Sequence, residues 1–312
     1  MMKKTVKIGT RASLLAVTQS TWVKNRIEAQ YPDTSVELVK ITTKGDKILD
    51  VPLARVGGKG LFVKEIEDAL LDGRVDLAVH SMKDVPTDLP DGLQVAIIPP
   101  RETALDAFIC NHAKTIDDLA RGATIGTSSL RRKAQLAALR PDVIIKDLRG
   151  NLDTRMRKLD EGQYDAIILA GAGLNRLGMQ NRITALFPPE QMLPAIGQGS
   201  LGIELRTSDD ELLAGMQFLH HRATAVTVAA ERAFLLRLEG GCQVPIGAHA
   251  VLEDDTVTLT GLIAAVDGHL ILREQQSAPA DQAAPLGRTL AEVLLDRGGR
   301  EILDQVYRES RP

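Results

Sequence analysis

Residues 123–139 read ATIGTSSLRRKAQLAAL, and this stretch decides the kind of fold that we expect for the chain. Ala123 to Gly126 is a short apolar strand candidate. A turn of polar residues follows it, and then the helix candidate Ser129 to Leu139. The same order of strand, turn and helix recurs along the first two thirds of the chain. Such alternation is typical of α/β domains whose sheets are mostly parallel.

The chain on both sides of this stretch repeats the pattern. The further strand candidates are short apolar runs, and they are Thr5 to Gly9, Val36 to Ile41, Asp76 to His80, Gln94 to Ile98, Ala107 to Cys110, Val143 to Lys146, Asp165 to Leu169 and Leu201 to Leu205. The helix candidates between them are Ser13 to Gln30, Phe62 to Leu71 and Leu152 to Leu159. Pro99-Pro100 and the stretch Pro188 to Pro194 interrupt the alternation. We therefore predict two similar α/β domains with a cleft between them.

The last third of the chain has a different pattern. A long helix is predicted from Ala223 to Leu238, and Thr256 to Leu262 alternates as an amphipathic strand that can pair with Leu270 to Arg273. Two helices, Gln282 to Leu295 and Arg300 to Arg308, close the chain. This order predicts a small α+β domain with an antiparallel sheet.

The composition is that of an ordinary globular protein. Of the 312 residues, 44% are hydrophobic and 25% are charged, which excludes general disorder and a coiled coil. Aromatic residues make up 3% and the formal net charge is -3. We therefore expect neither base-stacking platforms nor a basic surface for nucleic acid.

Cysteine content and apolar runs bear on the compartment. The two cysteines, Cys110 and Cys242, are too few for a disulfide framework, and no CxxC pair suggests zinc or another metal. The N-terminus lacks the apolar stretch of a signal peptide, and the longest apolar run, Ala166 to Leu174, is too short to cross a bilayer. We expect a soluble cytoplasmic protein that binds neither nucleic acid nor a membrane.

Arginine residues recur at the turns that follow the predicted strands. Arg131 and Arg132 come directly after a turn of three hydroxyl residues, where free backbone N–H groups and a helix dipole favour anions. Because the carboxyl ends of parallel strands meet at one edge, these turns predict a shared site for a ligand with several carboxylates or phosphates. A solvated surface side chain is the alternative for each arginine. The other residues at such turns are Arg11, Ser13, Thr127, Ser128, Ser129, Arg149, Arg155 and Arg176.

The segment from His80 to Pro86, HSMKDVP, also follows an apolar strand candidate. Asp84 is then a carboxylate at the mouth of an arginine-rich cleft, where it can stabilise a developing cation or exchange protons. An exposed turn without a function is the alternative. We interpret His80 as a structural histidine rather than a base.

Two glycine-rich segments complete the candidates. Gly240 and Gly241 precede Cys242, so the thiol is accessible and can serve as a nucleophile or an attachment point, with a small buried thiol as the alternative. The segment Gly57-Gly58-Lys59-Gly60 lacks the Walker spacing. We interpret it as a mobile lid that carries one cation.

Together these segments resemble the porphobilinogen deaminase family, also called hydroxymethylbilane synthases. The resemblance runs from Lys7 to nearly the C-terminus, and its blocks occur in the family's order. Ser200, where many members have alanine, is one minor departure. The blocks are IGTRAS, TTKGD, VGGKGLFVKEIE, AVHSMKDVPT, IGTSSLRRKAQL, LRGNLDTR, AIGQG and EGGCQVPIG.

The resemblance implies a fold of three domains. Domain 1 would comprise residues 1–99 with 200–217, domain 2 residues 100–199, and domain 3 residues 218–312. Domains 1 and 2 would be similar to the two lobes of periplasmic binding proteins, around a cleft. Domain 3 would be the small α+β domain and would carry the cysteine.

The resemblance also implies a transferase of tetrapyrrole (haem) biosynthesis. The family joins four porphobilinogen molecules head to tail into hydroxymethylbilane and releases ammonia at each step. Its cofactor is a dipyrromethane, held through a thioether on the residue that matches Cys242. We expect a cytoplasmic monomer whose partner is the small-molecule substrate, with hand-over of the product to the next enzyme as a further expectation.

Residue roles follow from the same resemblance. Asp84 matches the catalytic carboxylate. The arginines and hydroxyl residues at the strand ends, together with Ser81 and Lys83, match groups that bind the carboxylates of substrate and cofactor. Lys59 belongs to the predicted lid. Stacking of Phe62 on a pyrrole ring and packing in the core both stay open.

Two other functions compete with this one. A non-catalytic, two-lobed anion-binding protein explains the arginines but not the Gly-Gly-Cys segment. A cysteine hydrolase requires a histidine partner for Cys242, and none of the six histidines lies in a recognisable partner motif.

Overall fold

The computed structural model describes residues 2–47, 60, 63–239 and 244–310. These residues fall into two units. The first holds residues up to 47, residue 60, residues 63–102 and residues 200–225, and the second holds residues 103–199, 226–239 and 244–310. Within residues 63–239, the chain passes between the units after Glu102, Gly199 and Ala225.

Apolar runs form the strands, as the sequence predicts. In chain order the strands are β1 (Thr5–Thr10), β2 (Ser35–Lys40), β3 (Leu77–Ser81), β4 (Leu93–Ile97), β5 (Asp106–Cys110), β6 (Thr124–Gly126), β7 (Ile144–Lys146), β8 (Ala166–Ala170), β9 (Ala185–Leu186), β10 (Leu201–Arg206), β11 (Ile246–Glu253), β12 (Thr256–Ala264) and β13 (Ile271–Pro279).

The α-helices of the described residues fall between these strands or follow them. They are α1 (Leu14–Gln30), α2 (Lys44–Lys47), α3 (Lys64–Leu71), α4 (Leu130–Leu139), α5 (Leu152–Asp160), α6 (Gly171–Arg176), α7 (Asp210–Met216), α8 (Arg222–Arg237), α9 (Ala283–Leu294) and α10 (Arg300–Ser310). Short 3₁₀ turns occur at Met82–Asp84, Ile116–Asp118, Gln180–Arg182, Gln217–Leu219 and Ala280–Gln282, and a π-turn at Leu295–Gly299 joins α9 to α10.

The first unit is built on one sheet in the order β2-β1-β3-β10-β4. Strands β1, β2 and β3 are parallel, and β10 is antiparallel to both β3 and β4. One face buries apolar side chains of the strands against Val23 and Ile27 of α1. The other face packs Ala78 against Ile66 and Leu70 of α3. Burial on both faces explains why these strands read as continuous apolar runs.

The second unit contains a sheet of the same design, in the order β7-β6-β8-β5-β9. Strands β6, β7 and β8 are parallel, and β5 is antiparallel to β8 and β9. The antiparallel strand of each sheet is the first strand after a crossing between the units, β5 after Glu102 and β10 after Gly199. The prediction of two similar, mostly parallel α/β sheets is confirmed.

The second unit also contains the antiparallel sheet β11-β12-β13. Leu259 and Ile263 on one face pack with Phe234 of α8 and Leu290 of α9. The predicted α+β domain is therefore confirmed, although β11 was not predicted. Strand β13 runs to Pro279, well past the predicted Arg273, because its polar residues pair with β12 at the edge of the sheet.

The division into three domains, with boundaries at residues 99, 199 and 217, stays a prediction. Among the described helices, none is long and apolar enough to cross a membrane.

Candidate active site

The carboxyl ends of β1, β2 and β3 lie at one edge of the first sheet because the three strands are parallel. Asp84 ends the 3₁₀ turn that follows β3, and its side chain is exposed. Among the described residues it has no hydrogen-bonding or ion-pair partner. Ser81, the last residue of β3, and Lys83 are half-buried beside it in sequence. This edge therefore presents one uncompensated carboxylate.

Arg11 and Ser13 follow β1 at the same edge. Arg11 Nε donates to Asp46 Oδ1 at 3.0 Å, and Asp46 Oδ2 also accepts from the Thr43 hydroxyl at 2.8 Å. Burial alone would raise the pKa of the Asp46 carboxyl, but the hydrogen bonds from Arg11 and Thr43 outweigh it and hold that pKa below its usual value. Ser13 Oγ accepts from Ala16 N at 3.4 Å and caps α1.

The second α/β sheet brings its own turns to one edge. The turns after β6, β7 and β8 carry the hydroxyl residues 127–129, Arg149 and Arg176, and β5 begins at the same edge. Ser128 Oγ donates to Leu148 O at 2.9 Å and accepts from Leu148 N at 3.1 Å, so the first two turns are joined. Thr127 is buried, and its hydroxyl accepts from Ser129 N at 3.3 Å.

The turn after β7 depends on a glycine. Gly150 has φ of +112°, and a Cβ at this position would lie 2.7 Å from Thr154 Cγ2. Asn151 then caps α5 by accepting from Thr154 N at 3.0 Å. Arg155 Nε donates to Gly150 O at 2.8 Å, and Arg176 Nη2 donates to Gly199 O at 2.6 Å. Both guanidinium groups are thus held by backbone carbonyls.

Arg131 and Arg132 in the first turn of α4 are buried, with 3% and 6% exposure, and surround the fully buried Asp106. Arg131 Nη1 lies 2.7 Å from Asp106 Oδ2. Arg132 Nε and Nη2 lie 2.9 Å and 2.6 Å from Oδ1. Asp106, the first residue of β5, was not among the predicted site residues. The only local signal in the sequence was an acidic residue directly before an apolar strand candidate, and an acidic residue is equally typical of a turn at that position.

The charges of this cluster do not cancel. Burial favours the neutral acid, but the attraction of Arg131 and then Arg132 outweighs it and holds the pKa of Asp106 well below its usual range. One carboxylate thus faces two guanidinium groups, which leaves one positive charge in excess. Arg131 Nε is buried without a hydrogen-bond partner among the described residues. The cluster is suited to an additional anion.

The first unit has a buried acidic cluster, formed by Glu67, Glu204 and His80, whose two glutamates were not among the predicted site residues. His80 Nε2 lies 2.8 Å from Glu204 Oε2, and both side chains are buried. Glu67 of α3 is buried as well. Burial, followed by repulsion from Glu204, raises the pKa of Glu67 to about 7, although His80 opposes the shift. The buried contact agrees with the structural role expected for His80.

Three predicted positions, Lys59, Phe62 and Cys242, lie outside the described residues. The other cysteine, Cys110, ends β5, and its thiol donates to Asp165 O at 3.1 Å.

Residues 6–214 match the family model described as "Porphobilinogen deaminase, dipyromethane cofactor binding domain". The chain belongs to the porphobilinogen deaminase family. Residues 225–296 match the C-terminal domain of the same family. The chain is 55% identical over 308 residues to a curated porphobilinogen deaminase of Syntrophobacter fumaroxidans, and the match covers 99% of this chain and 100% of that protein.

A second curated relative belongs to the same family. A porphobilinogen deaminase of Trichlorobacter lovleyi is 55% identical over 307 residues, which are 98% of each chain. Among solved structures, the chain is similar to a periplasmic substrate-binding protein of an ABC transporter from Coxiella burnetii, at 13% identity and a TM-score of 0.43. That match covers 73% of this chain and 96% of the other.

Proposed function

We propose that the chain is a hydroxymethylbilane synthase that joins four porphobilinogen molecules head to tail and releases ammonia at each step. The observation that carries this proposal is the match to two curated porphobilinogen deaminases over nearly the full length of the chain. The edges of the two α/β sheets support it, because they offer the two kinds of group that the reaction needs. These are an exposed carboxylate and a set of arginines.

We further propose that a dipyrromethane is attached to the chain through a thioether at Cys242. When bound, this group supplies the pyrrole to which the first substrate unit is joined. Its carboxylates fit the second unit, because the Arg131–Arg132–Asp106 cluster has a positive charge in excess and an unpartnered buried N–H. In this proposal the residues that would hold substrate and cofactor carboxylates are Arg11, Ser13, Ser81, Lys83, Thr127, Ser128, Ser129, Arg131, Arg132, Arg149, Arg155 and Arg176.

Asp84 is the catalytic residue in this proposal. Loss of ammonia from porphobilinogen leaves an electrophilic carbon with cationic character, and a nearby carboxylate stabilises that charge through the pyrrole N–H. The same carboxylate can carry a proton to the departing ammonia and take one from the ring carbon. Asp84 suits both tasks because it is exposed and has no ion pair with any described residue.

A non-catalytic anion-binding protein remains the alternative function. The excess positive charge around Asp106 fits either function, since both bind carboxylates. Only the synthase requires a covalent dipyrrole and the release of ammonia. The matches to curated enzymes therefore favour the synthase.

Intact mass spectrometry and an ammonia assay test the proposal together. We expect the purified chain to exceed its sequence mass by one dipyrrole, and to release ammonia and form hydroxymethylbilane when porphobilinogen is added. Cys242→Ala should fold without an adduct or product, whereas the control Cys110→Ala should keep both. An adduct of unchanged mass on Cys242→Ala would place the anchor elsewhere. A wild-type chain with neither adduct nor ammonia release would favour the anion-binding alternative.

Localisation, oligomeric state, domain division and the fate of the product are also proposals. We propose a cytoplasmic monomer with three domains, divided as 1–99 with 200–217, 100–199 and 218–312, that passes its product to the next enzyme. Sedimentation of the holoenzyme measures the oligomeric state.

A further inference from the structure

Asp106 accepts four hydrogen bonds from side chains of the second unit. Its Oδ2 accepts from Arg131 Nη1, and its Oδ1 accepts from Arg132 Nε and Nη2 and from Gln198 Nε2 at 3.0 Å. Four N–H donors therefore reach this one carboxylate, three at Oδ1 and one at Oδ2. The group is also fully buried. Because it is fully buried and held by these donors, Asp106 is placed to hold the arginines rather than to bind substrate or exchange a proton itself.

The same contacts fix the two arginines. Two adjacent guanidinium groups repel each other, and a carboxylate between them removes most of that cost. Arg131 Nη1 also donates to Leu193 O at 2.6 Å, and Arg132 Nη1 donates to Ile168 O at 2.9 Å. Each arginine is thus held by Asp106 on one side and by a backbone carbonyl on the other. Neither can rotate without leaving a buried charge unpaired.

Gln198 holds Asp106 from the opposite side. Its Nε2 donates to Ala104 O at 2.6 Å as well as to the carboxylate, and the side chain is 1% exposed. Ala104 lies two residues before Asp106, so this amide ties the carboxylate to the backbone that leads into β5. Asp106 and Gln198 are separated by 92 residues in the sequence, and neither was among the predicted site residues.

We propose that Asp106 is a positioning residue that sets the orientation of Arg131 and Arg132 for a carboxylate ligand, and that Gln198 fixes Asp106 in place. The inference rests on the proposed function, since it takes the ligand to be a carboxylate of the substrate or cofactor. Asp106 would act on the ligand only through the two arginines. Loss of Asp106 should therefore weaken ligand binding more than it slows the chemical step.

Asp106→Asn tests the inference because it keeps the shape and removes the charge. We expect this variant to fold with a lower melting temperature, to carry less adduct by intact mass, and to show a KM for porphobilinogen raised about tenfold. Its kcat per adduct-bearing chain should change less than about threefold. The matched control is Asp142→Asn, which removes a carboxylate that Arg140 also contacts through two nitrogens, at 2.7 Å and 2.9 Å, on a more exposed surface. This control should leave adduct content and KM unchanged.

A second variant covers the case in which Asp106→Asn does not fold. Gln198→Met removes one neutral donor and leaves both ion pairs, so it should fold and raise KM about threefold. The inference is overturned if folded Asp106→Asn has wild-type adduct content and KM, or if Asp106→Asn is unfolded and Gln198→Met has a wild-type KM. Failure of the proposed function would be distinguished from these outcomes by the wild-type chain, which would then lack both the adduct and ammonia release. In that case the inference about Asp106 would be overturned as well.

Discussion

The two α/β sheets have equivalent strand orders, yet the pKa values of buried acidic residues in the two units are shifted in opposite directions. In the second unit, Asp106 on the antiparallel strand β5 lies between two guanidinium groups, and its pKa is held well below the usual range. In the first unit, Glu204 on the antiparallel strand β10 contacts His80, and burial followed by repulsion from Glu204 raises the pKa of the nearby Glu67 to about 7. Burial alone would raise both values.

The difference teaches that the partner decides whether the effect of burial on a carboxyl pKa is reversed, as by the arginines at Asp106, or reinforced, as by a second acid at Glu67. Arg131 and Arg132 keep Asp106 ionised, and the ionised group in turn keeps the arginines in one orientation. Glu67 has another acid as its neighbour and can hold a proton near neutral pH. Asp84 is a third case, exposed and without an ion pair to any described residue. Changes at Arg132, Asp84 and Glu67 test how far these three environments differ, and a change at Asp46 adds a partly exposed ion pair to the comparison.

The largest effect is expected from Arg132→Leu. It removes two of the four N–H donors on Asp106 and one of the two charges that face the ligand. Loss of a buried charged partner should weaken binding of the polyanion by roughly 2–5 kcal/mol. We expect a chain that either carries no adduct or stops elongation early, as measured by intact mass after addition of porphobilinogen.

The exposed Arg157→Leu serves as its control, because Arg157 pairs only at the surface of α5 with Glu161. Wild-type adduct content and turnover in Arg132→Leu would show that the cluster does not bind the ligand.

Asp84→Asn tests the exposed carboxylate. Because the arginines are proposed to bind the substrate, removal of the Asp84 charge should slow the chemical step and leave KM little changed. We expect kcat to fall by ~10²-fold or more in Asp84→Asn and Asp84→Ala, the scale of one transition-state electrostatic partner. Asp84→Glu, which keeps the charge, should retain more activity. The measurement is single-turnover ammonia release from holoenzyme whose adduct content has been checked by mass.

The control for Asp84 is Asp91→Asn, an exposed aspartate in the same unit. Release of ammonia by Asp84→Asn at the wild-type rate would make the carboxylate a structural group and leave the reaction without its proposed catalytic residue.

Much of this architecture is predictable from the sequence because buried strands leave a local signal. Apolar runs such as Leu77–Ser81 and Ala166–Ala170 identify strands without knowledge of their neighbours. The two-residue β9 and the strand β11 were missed. Strand β9 is too short for a pattern, and β11 follows the Gly-Gly-Cys segment, where the glycines suggested a loop.

The site was predictable only in part, for a related reason. Strand-end arginines follow from the strands, but the burial of Arg131 depends on Asp106, which lies 25 residues earlier. The contact between His80 and Glu204 spans 124 residues. A single sequence carries no local mark of such pairs, so the charge state of the buried acids becomes clear only in three dimensions.

Glu67→Gln tests the buried acid pair through the pH dependence of stability. The pKa of Glu67 is raised from 4.5 to about 7 in the folded chain, so the folded state binds this proton more tightly than the unfolded state. Its stabilising contribution is complete below the unfolded value and is lost as the pH rises through about 7. From about pH 5 to about pH 8 the wild type should therefore lose about 1–3 kcal/mol of unfolding free energy relative to Glu67→Gln.

Denaturant titrations across this pH range measure the difference, with the exposed Asp72→Asn as a control that should follow the wild type. The groups that act on Glu67 are Glu204, His80, Asp68 and Lys64. Parallel pH profiles for wild type and Glu67→Gln would mean that Glu67 is ionised when folded, and the contrast with Asp106 would disappear.

The smallest effect is expected from Asp46→Asn, which breaks the contact with Arg11 at the edge of the first sheet. The pKa of Asp46 is lowered from 3.8, so its contribution is present above that value and is lost as the pH falls through the lower, folded value. Because both side chains are about a quarter exposed, at 27% and 23%, we expect less than about 1 kcal/mol at neutral pH. Denaturant titrations of wild type and Asp46→Asn should converge as the pH falls from about 6 towards about 3.

The exposed Asp33→Asn is the control and should match the wild type throughout. A gap that widens in acid would show that Asp46 does not act as the ionised partner of Arg11. A KM effect as large as that of Asp106→Asn would show that a partly exposed carboxylate positions its arginine as firmly as a buried one.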